Sequence, residues 1–72
     1  MDIELARTFL AVVECGSFYK AGEQVHVTQS TVSARIKSLE SLLGQAMFAR
    51  GKSGALLTPA GHQFRRYAER SE

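Results

Sequence analysis

Three residues constrain this chain more than any others. An apolar-periodic segment ends at Val25 and a second begins just beyond it, with only His26, Val27 and Thr28 between them. In the second segment Val32, Ile36, Leu39 and Leu43 recur at i, i+4, i+7 and i+11, which predicts an amphipathic helix facing a core. Thr28 is suited to cap its start, since its hydroxyl can accept from the unpaired N–H groups of the first turn. Gly44 stops it. In the first segment Phe18, Ala21, Gly22 and Val25 follow i, i+3, i+4 and i+7, predicting a helix over about residues 18–25, with Ser17 as its cap. Gly22 lowers helix stability by roughly 1 kcal/mol relative to alanine. The compensation expected is close approach of another backbone, as a steep helix crossing needs. Two helices joined so tightly, the second longer and basic, form a helix-turn-helix pattern.

The flanking segments extend that pattern. A first helix is expected from Asp2 to Cys15, with Asp2 as N-cap and Glu4 near the positive end of the helix dipole. Its stripe is Leu5, Phe9, Val12 and Val13, and Gly16 ends it. Beyond Gly44 the period changes. Residues 46–50 and 55–57 read as short strands around a Gly-flanked turn, residues 51–54, which is a hairpin signal. Thr58-Pro59 then opens a last helix, proline being tolerated in the first turn because its missing N–H would have had no partner there. Ala60, Phe64, Tyr67 and Ala68 line one side of that helix. The expected fold class is mainly α: a winged helix-turn-helix of three helices, a two-stranded wing and a C-terminal helix.

Several function classes drop out. With 72 residues, the chain buries only about 60–65% of the surface its unfolded form exposes, so its core is modest. No apolar run approaches the roughly 18 residues of a membrane span, and the acidic start Met1-Asp2-Ile3-Glu4 does not suit a secretory leader. A cytoplasmic location is expected. The lone Cys15 excludes an internal disulfide and a multi-cysteine metal site, and a buried structural thiol is the expectation for it. His26 and His62 have no acid at ligand spacing, and there is no nucleophile elbow or phosphate loop. The chain is therefore expected to be no enzyme and to need no metal or cofactor.

Charge is distributed unevenly. Residues 1–27 hold Arg7 and Lys20 against four acids, a net −2, whereas residues 28–53 hold Arg35, Lys37, Arg50 and Lys52 against Glu40 alone, a net +3. Residues 54–72 carry +1. A basic middle on an acidic front suits an anionic partner such as nucleic acid. At about 100° per residue, with Val32, Ile36, Leu39 and Leu43 inward, Ser30, Ala34, Lys37 and Ser41 face outward. Gln29 and Ser33 lie on one flank, Arg35 and Ser38 on the other. Short side chains let a helix approach the base edges of a major groove. Gln can pair bidentately with adenine, serine can donate or accept, and an alanine methyl can touch that of thymine. Arg35 and Lys37 would hold phosphates, and the helix start at Thr28 and Gln29 attracts one. Each residue also has a plainer role by itself: Gln29, Ser30 and Ser33 as solvated surface, Lys37 as a solvated charge, Arg35 paired with a nearby acid, Lys52 as an ordinary turn cation. A winged fold can equally serve as a protein-binding module without DNA.

The stretch FLAVVECGSFYKAGEQVHVTQSTVSARIKSLESLLG, residues 9–44, together with MFAR (47–50) and LTPAG (57–61), resembles the N-terminal DNA-binding domain of the LysR-type transcriptional regulators. The resemblance covers essentially the whole chain. It implies a bacterial regulator, cytoplasmic and nucleoid-associated, that binds double-stranded DNA in a sequence-specific way. The third helix would enter the major groove and the wing would lie by the minor groove. By position, Gln29, Ser30 and Ser33 match residues that approach bases, and Thr28, Lys37 and Arg50 match positions that contact or frame the backbone. Ala34 and Ser53 stand where the family often has arginine, Ser30 where it often has proline, and Gly22 where alanine is common; Arg35 and Lys52 are the neighbouring cations. The site expected from residues and resemblance together is Thr28, Gln29, Ser30, Ser33, Ala34, Arg35, Lys37, Arg50, Lys52 and Ser53. The resemblance further divides the chain into a DNA-binding domain, residues 1–58, and the start of a linker helix, residues 59–72. It implies a homodimer through that helix (Phe64, Tyr67, Ala68), where a stripe this short can instead simply cover the domain's own core, and a larger effector-sensing domain in the full-length protein.

Overall fold

The computed structural model describes residues 3–51 and 54–71, the side chains of Arg50 and Ser71 excepted. The elements are α1 (Ile3–Cys15), α2 (Phe18–Val25), α3 (Gln29–Leu43), β1 (Phe48–Gly51), β2 (Gly54–Leu57) and α4 (Pro59–Ser71). This is the winged helix-turn-helix order expected. Asp2, the expected cap of α1, lies outside the described residues.

Local chemistry sets the boundaries. Ser17 is extended, and its hydroxyl accepts from the Lys20 N–H at 3.2 Å, capping α2. Thr28 does the same for α3 through the Thr31 N–H at 3.1 Å. The turn between these helices begins at His26, whose φ of +62° is the only positive value at a non-glycine among the described residues. From there the chain folds back over α2, and the Val27 N–H donates to the Gly22 carbonyl at 2.8 Å. A Cβ on Gly22 would stand 2.6 Å from the Val27 carbonyl oxygen and 3.3 Å from the Thr28 carbonyl carbon. Glycine is therefore required where the turn crosses, and its low helix propensity is offset by that contact.

The core gathers around α1. Phe9 and Val12 are fully buried, as are Ala21 of α2 and Val32 and Leu39 of α3. Each large side chain removed from water in this way contributes about 1.5–3 kcal/mol. Phe9 ties the remaining elements to the three helices: its ring lies 5.3 Å from that of Phe48 in β1 and 4.9 Å, edge-on, from that of Phe64 in α4. Two expectations need correction. Leu43 is 37% exposed, because the core of α3 ends one turn earlier, at Leu39. Cys15 is only half-buried, its thiol 3.1 Å from Gln24 Oε1, so it is a polar contact at the end of α1 and not an enclosed thiol.

The wing is antiparallel, with Phe48 opposite Leu57, Ala49 opposite Leu56, Arg50 opposite Ala55 and Gly51 opposite Gly54. Its first strand starts two residues later than the sequence suggested. Ala46 and Met47 are occupied in stitching neighbouring elements: the Thr58 hydroxyl donates to the Ala46 carbonyl at 2.6 Å, and the Thr58 N–H donates to the Met47 carbonyl at 3.0 Å. Met47 itself is buried. Thr58 also accepts from the Gly61 N–H at 3.0 Å, so it caps α4 while anchoring it.

Candidate nucleic-acid interface

Burial of Val32, Ile36 and Leu39 on one side of α3 fixes the opposite side by geometry. There Ser30, Ala34 and Lys37 are exposed, and on the flank beside them Gln29 is exposed and Ser33 half-exposed. Thr28 is exposed at the helix start, where its hydroxyl also lies 2.9 Å from that of Thr31. Between Gln29 at its start and Lys37, the serine-lined face thus carries only short side chains.

An open groove of about 510 Å³ runs along the flank of this face that carries Gln29, Ser33 and Lys37. Gln29, Ser33, Lys37 and Glu40 of α3 form one wall, Ser17 to Tyr19 another, and Phe48, Ala49, Gly54 and Ala55 of the wing the third. Two contacts hold the wing in place there. The Glu40 carboxylate accepts from the Met47 N–H at 2.8 Å and the Phe48 N–H at 3.5 Å. The Gly16 carbonyl accepts from the Ala55 N–H at 3.4 Å, and a Cβ on Gly54 would lie 2.4 Å from that same oxygen. The one acid of the basic middle is thereby turned onto backbone N–H groups at the start of the wing.

The expected residues separate. Thr28, Gln29, Ser30, Ser33, Ala34 and Lys37 share the exposed side of α3. Arg35 does not: its Nη1 is 3.2 Å from Glu4 Oε2 and donates to the Thr8 hydroxyl at 3.3 Å, with only 27% of the side chain exposed. Thr8 is fully buried and in turn donates to the Glu4 carbonyl at 2.8 Å. Arg35 therefore joins α3 to α1, and the plainer of its two readings is the one its geometry supports. Lys52 and Ser53 lie outside the described residues, as does the side chain of Arg50. Sequence reasoning passed over Tyr19 and Glu40. An aromatic residue off the stripe of its own helix was the available signal for Tyr19; for Glu40 it was its position as the only acid among residues 28–53.

On α4, Phe64 and Ala68 are buried in the domain's own core, whereas Tyr67 is 58% exposed. Of the three residues expected at a dimer interface, only Tyr67 presents substantial surface. Among the described residues no group of three or more His, Cys, Asp or Glu could hold a metal ion, and no helix is long and apolar enough to cross a membrane.

Comparison with known proteins places these features in a family. Residues 3–62 match the bacterial regulatory helix-turn-helix proteins of the lysR family. Proteins named HTH-type transcriptional regulator HdfR, from Yersinia enterocolitica and Yersinia pestis, are each 46% identical over 69 residues, covering 96% of this chain and 24% of the relative. The chain thus spans about a quarter of the length of the curated relatives it matches. Among solved structures, the DNA-binding domain of CbnR in complex with DNA superposes with a TM-score of 0.93 at 34% identity, covering 99% of this chain and 82% of that one. The DNA-binding domain of BenM on the catB site 1 DNA gives a TM-score of 0.93 at 38% identity, covering 99% and 80%. The HdfR relatives are named as transcriptional regulators, and the CbnR and BenM domains were solved with DNA.

Proposed function

The chain belongs to the lysR family of bacterial regulatory helix-turn-helix proteins, and from that premise we propose that it binds double-stranded DNA sequence-specifically, as the DNA-binding domain of a transcription regulator. Helix α3 enters the major groove. Gln29, Ser30, Ser33 and Ala34 face base edges, while Thr28 and Lys37 hold the backbone. The wing tip, residues 51–54, lies by the minor groove, where Arg50, Lys52 and Ser53 would contribute. The observation that carries this reading is the exposed, short-side-chain face of α3 with Lys37 at its far end, opening onto a groove walled by the wing. Relatives solved with DNA on the same fold support it. A protein-binding winged helix without DNA contact would call for an acidic or strongly apolar face before Lys37, and this face has neither.

In a full-length protein an effector-sensing domain would follow, and two copies would pair through α4 to match a two-fold operator. Tyr67 is the residue of α4 placed to take part. Such a regulator would act in the cytoplasm, on the nucleoid. The test is a titration of the chain with duplexes selected from a random pool, repeated at rising salt. Affinity should fall steeply as log[salt] rises, because phosphate contacts release counterions. Binding that ignores salt, or fails to discriminate between selected and scrambled duplexes, would contradict the proposal.

A further inference from the structure

One wall of the groove is still without a role. It is the N-terminal corner of α2, Ser17 to Tyr19, which lines the groove together with Gln29, Ser33 and Lys37. Phe18 is committed to the interior, its ring 5.7 Å from that of Phe48. Its successor on the helix projects about 100° away, and Tyr19 is 60% exposed. A phenol combines an apolar ring with a polar tip, and the tip usually finds a partner. Among the described residues the Tyr19 hydroxyl has none. Nor is the corner loose. Ser17 caps the helix, the Gly16 carbonyl holds Ala55, and Gly54 packs where no Cβ would fit. The backbone that carries Tyr19 is therefore anchored to the wing here and, through the Gly22 crossing, to the turn that leads into α3.

We infer that Tyr19 is a DNA-positioning residue, its hydroxyl donating a hydrogen bond to a phosphate oxygen of the strand lodged in this groove. The inference rests on the DNA-binding reading above and adds a contact from α2 that neither charge nor motif indicates. Phosphate is the partner the placement favours: α2 stands beside the reading helix, where the first helix of such a pair crosses the backbone. Tyrosine hydroxyls are among the groups that make such contacts. Because the phenol is neutral, it positions the strand without displacing a counterion, whereas Lys37 does displace one.

That difference supplies the test. Binding of fluorescent duplexes by the wild-type chain, Tyr19→Phe and Lys37→Met is measured by anisotropy across a salt series, using a pool-selected duplex and a scrambled one. Tyr19→Phe should weaken both duplexes by roughly ten- to a hundredfold, the scale of one hydrogen bond to a charged acceptor, and leave the salt slope unchanged. Lys37→Met should lower the slope by about one unit. Scanning the selected duplex with single neutral methylphosphonates should reveal one position where the wild type loses affinity and Tyr19→Phe loses nothing further. Tyr19→Phe binding like the wild type, while Lys37→Met shows its deficit, would overturn the inference and leave the DNA-binding reading intact. A loss confined to the selected duplex would overturn the phosphate assignment in favour of a base contact. No salt-dependent binding by the wild type would overturn both.

Discussion

The outward face of α3 reads as a surface for a partner and the apolar stripe of α4 as either a partner surface or cover for the domain's own core, and the two met different fates. On α3, Gln29, Ser30, Ala34 and Lys37 stay in solvent. On α4, Phe64 and Ala68 are drawn into the core, Phe64 edge-on to Phe9, and Tyr67 is left outside with its ring 5.8 Å from that of Phe64. The difference follows from what each side chain gains by burial. In a chain this short the core is scarcely large enough, so any apolar stripe within reach is used to complete it. A face of serine, glutamine and lysine gains nothing inside and remains available. In a small domain a small polar face thus stays open to a partner, while an apolar stripe is spent on the core.

The contrast can be broken most forcefully at Phe64. Phe64→Ala should destabilise the domain by about 3–5 kcal/mol, the range for removing a buried aromatic side chain, as seen in a denaturant titration. A normal midpoint with lost self-association would instead make Phe64 an interface residue. On the other surface, Gln29→Ala should cost about 1–3 kcal/mol of discrimination at one base pair, measured by competition among single-substitution duplexes. Folding stability should stay within about 0.5 kcal/mol of wild type.

Smaller effects sharpen the comparison. Arg35→Met should lower stability by about 1 kcal/mol or less, since its ion pair with Glu4 is partly exposed and such pairs contribute little. Its DNA salt slope should match that of the wild type; a slope lowered by about one unit would return Arg35 to the phosphates. Tyr67→Ser should lower stability by about 1 kcal/mol or less, the scale of its ring contact with Phe64. It should nevertheless weaken self-association in sedimentation at high concentration.

What the sequence disclosed was whatever depended on near neighbours. Val32, Ile36 and Leu39 were legible from their spacing, Ser17 and Thr28 from the hydroxyls that cap helices, and Gly22 from a local cost that only a close backbone could offset. What it hid depended on residues far along the chain. Arg35 is claimed by Glu4 and Thr8 of α1, and nothing within α3 marks that choice. Glu40 reaches across Gly44 to the start of the wing, and the stitching of Ala46 and Met47 by Thr58 delays β1. Leu43 continues a regular apolar period into a region where the core has already ended. The exposure of the α3 face was readable for a further reason: short polar groups in an amphipathic helix stand out.

Amide chemical-shift mapping of the chain during titration with a pool-selected duplex probes most directly whether the serine face of α3 grips DNA. Residues 28–37 and the Ser17–Tyr19 corner should shift strongly, while the amides around Phe64 and Ala68 stay nearly still. Shifts concentrated on α4, with residues 28–37 unmoved at saturation, would contradict it.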